Sequence, residues 1–273
     1  FTMSLLDPRT VAMLTGMMSG LMGLILLVMR HSYPPSIRGL SEWATAILML
    51  FSVGVLTAVG GQSIDGKSIC VANAALFAGI YLCYVGTQRF LGLQPNQTRG
   101  WLLIALVSLV SAWFTLVDPN YAIRLRMSTV LQGGLFAVHA WLVWRLATHT
   151  FARRFMLAVL VAATAVQVAR FVATLTHPAI EGLLDSTPIQ VYYVTAYAFI
   201  LLLYTISVVL IATERLREEL EHLATHDSLT DAFTRRHMNE AIAQELERSR
   251  RQNRDLSLLA MDLDHFKSIN DTY

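Results

Sequence analysis

The chain has 273 residues, of which 55% are hydrophobic and 15% charged, with a formal net charge of +2 and a mean hydropathy of +0.50. Soluble domains carry roughly 25% charged residues, so this composition points to a bilayer and away from a water-soluble globule. The near-neutral balance, with arginines at segment edges, argues against a nucleic-acid partner.

Charge is sparse up to Ile211 and dense from Glu214 onward, which predicts two regions in different solvents. In the first region, apolar stretches run over 11–29, 43–59, 69–88, 101–117, 127–146, 155–175 and 191–211. A hydrocarbon core about 30 Å thick needs about 20 mostly apolar residues per helix. Helices satisfy their own backbone hydrogen bonds without water. The expectation is therefore an α-helical membrane domain of about seven transmembrane helices, residues 1–211. The first stretch is long enough to span rather than be removed as a signal peptide. With the charged tail in the cytoplasm, the inner loops hold Arg30, Arg38, Arg89, Arg99, Arg145, Arg153 and Arg154. The outer side holds Arg9, Lys67, Arg124 and Arg126, so the positive-inside tendency favours an N-terminus outside. Cys70 and Cys83 fall in one apolar helix that keeps them apart, which makes them a poor disulfide pair.

Polar groups inside apolar stretches are expensive and mark candidate sites. Arg170 stands in the sixth stretch, Gln132 and His139 in the fifth and Asn73 in the third. These four are the candidate lining of an outward-facing sensory pocket for a small anionic ligand. The competing reading is that Arg170 snorkels and the amides bond between helices. A retinal photoreceptor is excluded by the lysines, since the chain has only Lys67, in a loop, and Lys267, in the tail. A transporter is disfavoured by the lack of paired intramembrane carboxylates.

Beyond the last stretch, Val209, Thr213, Leu216, Leu220 and Leu223 alternate spacings of four and three. That is the a/d pattern of a coiled coil, here about two heptads long. It predicts a signalling helix over 212–226 that continues without Pro or Gly from the membrane and can pair with a second copy. A turn-like HDSLTDAFTRR then leads into an amphipathic helix through about Asn253, with Met238, Ile242 and Leu246 on one face. LSLLAMD follows, an apolar run short enough for a buried strand. Carboxylates next to it, in DLDHFKSIND, suit Mg²⁺ and phosphate chemistry.

Two segments in register, ATHDSLTDAFTRR and LSLLAMDLDHFKSINDTY, resemble the opening of a GGDEF diguanylate cyclase domain. Asp227, Leu229, Thr230, Arg235 and Arg236 match a D-x-L-T-G-L-x-N-R-R type segment. Asp262, Asp264, Phe266, Lys267, Asn270 and Asp271 match a D-x-D-x-F-K-x-x-N-D segment. The chain departs from the pattern where Gly-Leu and Asn appear as Asp231-Ala232 and Thr234. The resemblance implies that residues 227–273 are the N-terminal part of an α/β, nucleotidyl-cyclase-like domain. It implies Asp262 and the Leu263 carbonyl as Mg²⁺ ligands, His265, Phe266 and Lys267 near the GTP phosphates, and Asn270 on the guanine edge. It also implies a homodimer that makes cyclic-di-GMP from two GTP at a bacterial inner membrane, with the tail cytoplasmic. Tyr273 precedes the family's GGDEF hairpin, so the 273-residue chain by itself is expected to be inactive, its catalytic residues unknown, and the stop inside a motif points to a longer protein. Two rival readings are a degenerate domain that serves as a GTP or cyclic-di-GMP receptor, and a membrane receptor or assembly module with an inactive tail.

Overall fold

The computed structural model describes residues 8–60, 65–146, 150–176, 188–227 and 229–261. They form eight helices: α1 (Pro8–Ser32), α2 (Leu40–Gly60), α3 (Gly66–Phe90), α4 (Gln97–Leu116), α5 (Tyr121–Leu146), α6 (Phe151–Thr176), α7 (Pro188–Thr225) and α8 (Arg235–Gln252). Each of the seven apolar stretches falls on one of the first seven helices, with Val117 capping α4. Five helices are long and apolar enough to cross a membrane: the Met13–Ser32 part of α1, α3, α4, α6 and the Gln190–Thr225 part of α7. The apolar part of α2, Leu40–Leu56, is shorter. Helix α5 carries Arg124 and Arg126 in its first turns and Arg145 in its last.

The chain divides into two compact units, Phe1–Leu216 and Arg217–Tyr273. In the first, α1 packs on α2, α2 on α3, α3 on α4 and α5, and α5 on α4 and α6. Leu26, Trp43, Ala46, Ile47, Met156, Leu160 and Val208 form its fully shielded centre. Small residues permit the closest approaches. A Cβ on Gly86 would stand 2.6 Å from the Trp43 ring, and one on Gly39 would stand 2.3 Å from the Gly86 carbonyl oxygen. Gly39 also has a φ of +91°, a conformation that L-residues rarely adopt. The outer surface is apolar in its turn. On α4, Leu102, Leu106, Leu109 and Trp113 share one face and are all more than half exposed. A contiguous greasy face of this kind is stable in lipid and a liability in water.

In the second unit, α8 has no buried residue, and its arginines and glutamates pair along the helix, Arg236 with Glu240 and Arg248 with Glu245. The strand expected in LSLLAMD does not form among the described residues 254–261, and Leu258, Leu259 and Met261 are each at least 74% exposed. A strand exists only through its ladder, and no described segment supplies a partner for this one. The helical expectation fares better: α8 ends at Gln252, and Asn253 closes it in the left-handed conformation with φ 46°.

Candidate functional site

Two places carry the polar chemistry. The first is the interior of the helical bundle. Gln167 on α6 donates from Nε2 to Gln132 Oε1 on α5 at 2.9 Å and to the Tyr193 hydroxyl on α7 at 3.3 Å. Gln132 in turn donates to Ser128 Oγ at 2.6 Å. One turn beyond Gln167, Arg170 donates to Gln190 Oε1 at 3.1 Å, and its guanidinium lies 3.4 Å from the centre of the Tyr193 ring. Arg170 is 6% exposed, so its charge is met by an amide dipole and an aromatic face in a dry setting, where such contacts are strongest. The Gln167 Oε1 atom is buried and accepts no hydrogen bond from the described residues.

The four residues expected to line one pocket therefore separate. Gln132 and Arg170 share this cluster through Gln167 and Tyr193. His139 is elsewhere, its Nε2 2.8 Å from Thr87 Oγ1 and its ring edge-on to Tyr84 and Tyr204. Asn73 donates to Ser111 Oγ at 3.2 Å, tying α3 to α4. Interhelical amide bonding, the competing reading, describes Gln132, Gln167 and Asn73 as they stand. Sequence reasoning missed Thr87, Tyr204 and Gln190, because a hydroxyl or amide on a helix gives no sign of which neighbour it faces. It also missed the carbonyl of Cys83, which accepts from Trp43 Nε1 at 3.2 Å, Thr87 Oγ1 at 3.2 Å and the Tyr204 hydroxyl at 3.3 Å. Three helices meet at that one oxygen. Cys83 and Cys70 are both free thiols.

The second place begins where α7 ends. Asp227 accepts at one carboxylate oxygen from the Leu229 and Thr230 amides, both at 3.1 Å, and from the Thr230 hydroxyl at 3.0 Å. The Thr230 and Leu229 amides, with the hydroxyl, hold this carboxyl below its ordinary pKa. The turn is closed by backbone bonds from Asp227 N to Ala232 O and from Thr234 N to Thr225 O, and by a bridge between His226 and Phe233. Thr234 then caps α8, accepting from the His237 amide. Asp231 has a φ of 56°, so the position where the D-x-L-T-G-L pattern carries glycine keeps a left-handed backbone with aspartate in it. Asp and Asn are the non-glycine residues that tolerate this best.

The residues expected to bind metal and nucleotide, Asp262, Leu263, His265, Phe266, Lys267 and Asn270, lie outside the described residues. Among the described residues no group of three or more His, Cys, Asp or Glu is placed to hold a metal ion.

Residues 224–273 match the family described as diguanylate cyclase, GGDEF domain. Over 57 residues the chain is 44% identical to a probable diguanylate cyclase, DgcC, of Escherichia coli K12, which covers 21% of this chain and 15% of that protein. Over 67 residues it is 37% identical to MucR of Pseudomonas aeruginosa, a bifunctional diguanylate cyclase/cyclic di-GMP phosphodiesterase, covering 24% of this chain and 10% of that one. The chain thus spans 15% or less of the length of these relatives. No solved structure matches it.

Proposed function

Because residues 224–273 belong to the GGDEF family of diguanylate cyclases, we propose that the full-length protein is a membrane sensor that controls synthesis of cyclic-di-GMP from two GTP. The observation that carries this reading is α7, one helix from Pro188 to Thr225 that starts among the apolar helices and ends inside the matched residues. No Pro or Gly interrupts it after Pro188, so it can act as a stiff rod. The proposal extends to seven spans with the N-terminus outside, in a bacterial inner membrane, and to a homodimer paired along residues 212–226. Leu220 and Leu223, two positions of the a/d row, are 55% and 61% exposed in the single chain, which leaves them free to meet a second copy.

In this reading each GTP 3′-hydroxyl attacks the α-phosphate of the nucleotide held by the other protomer, giving cyclic-di-GMP and two pyrophosphates. The Asp262 carboxylate and the Leu263 carbonyl are hard oxygen donors suited to Mg²⁺. The ion, when bound, supplies neutralisation of phosphate charge. Lys267 and the backbone at His265 and Phe266 hold the phosphates, and Asn270 orients the guanine. Gln132 and Arg170, joined in one cluster with α7 through Tyr193 and Gln190, are the sensory candidates that remain together.

Inserting residues after Glu218 in the full-length protein tests the coupling. In a heptad repeat, three or four inserted residues turn the downstream domain by about 51° in opposite senses, and seven restore the phase. Cyclic-di-GMP production in membranes is expected to change strongly with three and four and to return with seven. An unaltered rate across the series sinks the reading.

A further inference from the structure

The end of the helical bundle from which α7 departs holds a cavity of about 760 Å³ between the α1–α2 turn and the α3–α4 turn. Arg30, Arg38 and Arg89 line it, together with His31, Gln94 and Gln97. Its single carboxylate, Glu42, is taken by Arg89 in a close ion pair. Arg30 and Arg38 are exposed and make no ion pair among the described residues, which leaves two unmatched arginines on the wall of one concave space. The volume lies in the range of small-molecule sites. Guanidinium forks bind phosphate oxygens in pairs, and the two glutamine amides add neutral donors.

The surroundings identify the level of the site. On α1 the exposed apolar run Leu21, Leu24 and Val28 stops immediately before Arg30 and His31, so the cavity sits at the rim of the greasy surface. Tyr33, another lining residue, has its hydroxyl 3.4 Å from Thr213 Oγ1 on α7. From these observations we propose that the cavity binds a phosphate-bearing anion, with Arg30 and Arg38 as its charged ligands. An anionic phospholipid headgroup and a soluble phosphate share this chemistry, and both reach such a rim. The site is separate from the Arg170 cluster and from the nucleotide residues of the tail.

The test uses the full chain in phosphatidylcholine nanodiscs in phosphate-free buffer. Increasing mole fractions of phosphatidylglycerol form one arm, and inorganic phosphate or pyrophosphate added to the phosphatidylcholine discs forms the other. Thermal unfolding, read by exposure of the buried Cys83 thiol to a dye, gives the ligand level for half-maximal stabilisation. In wild type at least one arm raises the midpoint. A response to phosphatidylglycerol alone assigns a lipid headgroup, and a response to free phosphate assigns a soluble ligand. The Arg30→Gln/Arg38→Gln variant needs about tenfold more ligand, or never responds, as loss of charged hydrogen bonds requires. Arg99→Gln, which removes an exposed cation at the same end but outside the cavity, responds like wild type. The proposal is overturned if neither arm shifts wild type. It is equally overturned if the double variant responds as wild type does, or if Arg99→Gln loses as much as the double variant.

Discussion

Replacing Gly39 with alanine probes the contact that sets the start of α2 against α3. Two effects add. At φ +91° a side chain of L configuration is strained by about 1–2 kcal/mol. The new Cβ would also stand 2.3 Å from the Gly86 carbonyl oxygen, 3.1 Å from its carbon and 3.2 Å from the Phe90 nitrogen. Those atoms are backbone of α3 and cannot swing aside, so the first turn of α2 must lift away. That loosens Leu40 and Trp43, both almost fully buried, at an overpacking cost of about 1–3 kcal/mol. Gly92→Ala isolates the first effect, because Gly92 has φ +78° and nothing within 4 Å of its added Cβ. Gly39→Ala is therefore expected to lower stability by about 2–5 kcal/mol and Gly92→Ala by about 1–2 kcal/mol. In a unit of this size the difference corresponds to roughly 2–12 °C in the midpoint of Cys83 thiol exposure in detergent. Equal midpoints for the two variants would refute the steric reasoning and reduce Gly39 to a simple matter of backbone conformation.

Asp231→Val places a β-branched side chain at φ 56°, and about 2 kcal/mol of local destabilisation is expected, seen as faster proteolysis across residues 226–234 of the full chain. Asp231→Gly should stay within about 1 kcal/mol of wild type, because relief of the left-handed strain is offset by the freer unfolded chain. A tolerant valine variant would mean that the turn is not held in this conformation. For Asp227 the sign follows from its lowered pKa. Its contribution is fully present above the unfolded value and is lost as pH falls through the lower folded value. Hydrogen exchange at Leu229 and Thr230 should be faster in Asp227→Ala at neutral pH, with the excess shrinking only below about pH 3.8. An excess that fades well above that pH would mean that the Asp227 carboxylate is not what holds these two amides.

Much of this architecture was readable from residues because hydrophobic length and turn chemistry act locally. The stretch 69–88 lies within α3, bounded by Asp65 before it and the left-handed Gly92 after it. The continuity of α7 followed from the absence of Pro and Gly. Helix rotation is not local. His139 meets Thr87, 52 positions away, because α5 and α3 turn those faces together, and nothing in either segment announces the pairing. Arg30, Arg38 and Arg89 stood out in the sequence as charges at the edges of apolar stretches, yet their convergence on one cavity depends on two turns being brought side by side. The apolar run 256–261 read as a strand because periodicity reports preference, whereas strand formation requires partners that the described residues do not provide. At Asp231 the letter differs from the glycine of the family pattern, yet the φ of 56° is one that glycine adopts freely, which the letter alone does not announce.

On the proposed reading, the closed turn between α7 and α8 decides how much freedom the residues after it have relative to the end of α7. A flexible tether would let them sample a volume, and encounters between two copies would follow an effective concentration set by tether length. Here the Thr234–Thr225 and Asp227–Ala232 backbone bonds and the His226–Phe233 bridge leave little slack. Encounter then becomes a question of bearing rather than of probability. For the proposed sensor-cyclase, lengthening the turn with glycine and serine is expected to replace regulated cyclic-di-GMP synthesis with a constant, low background.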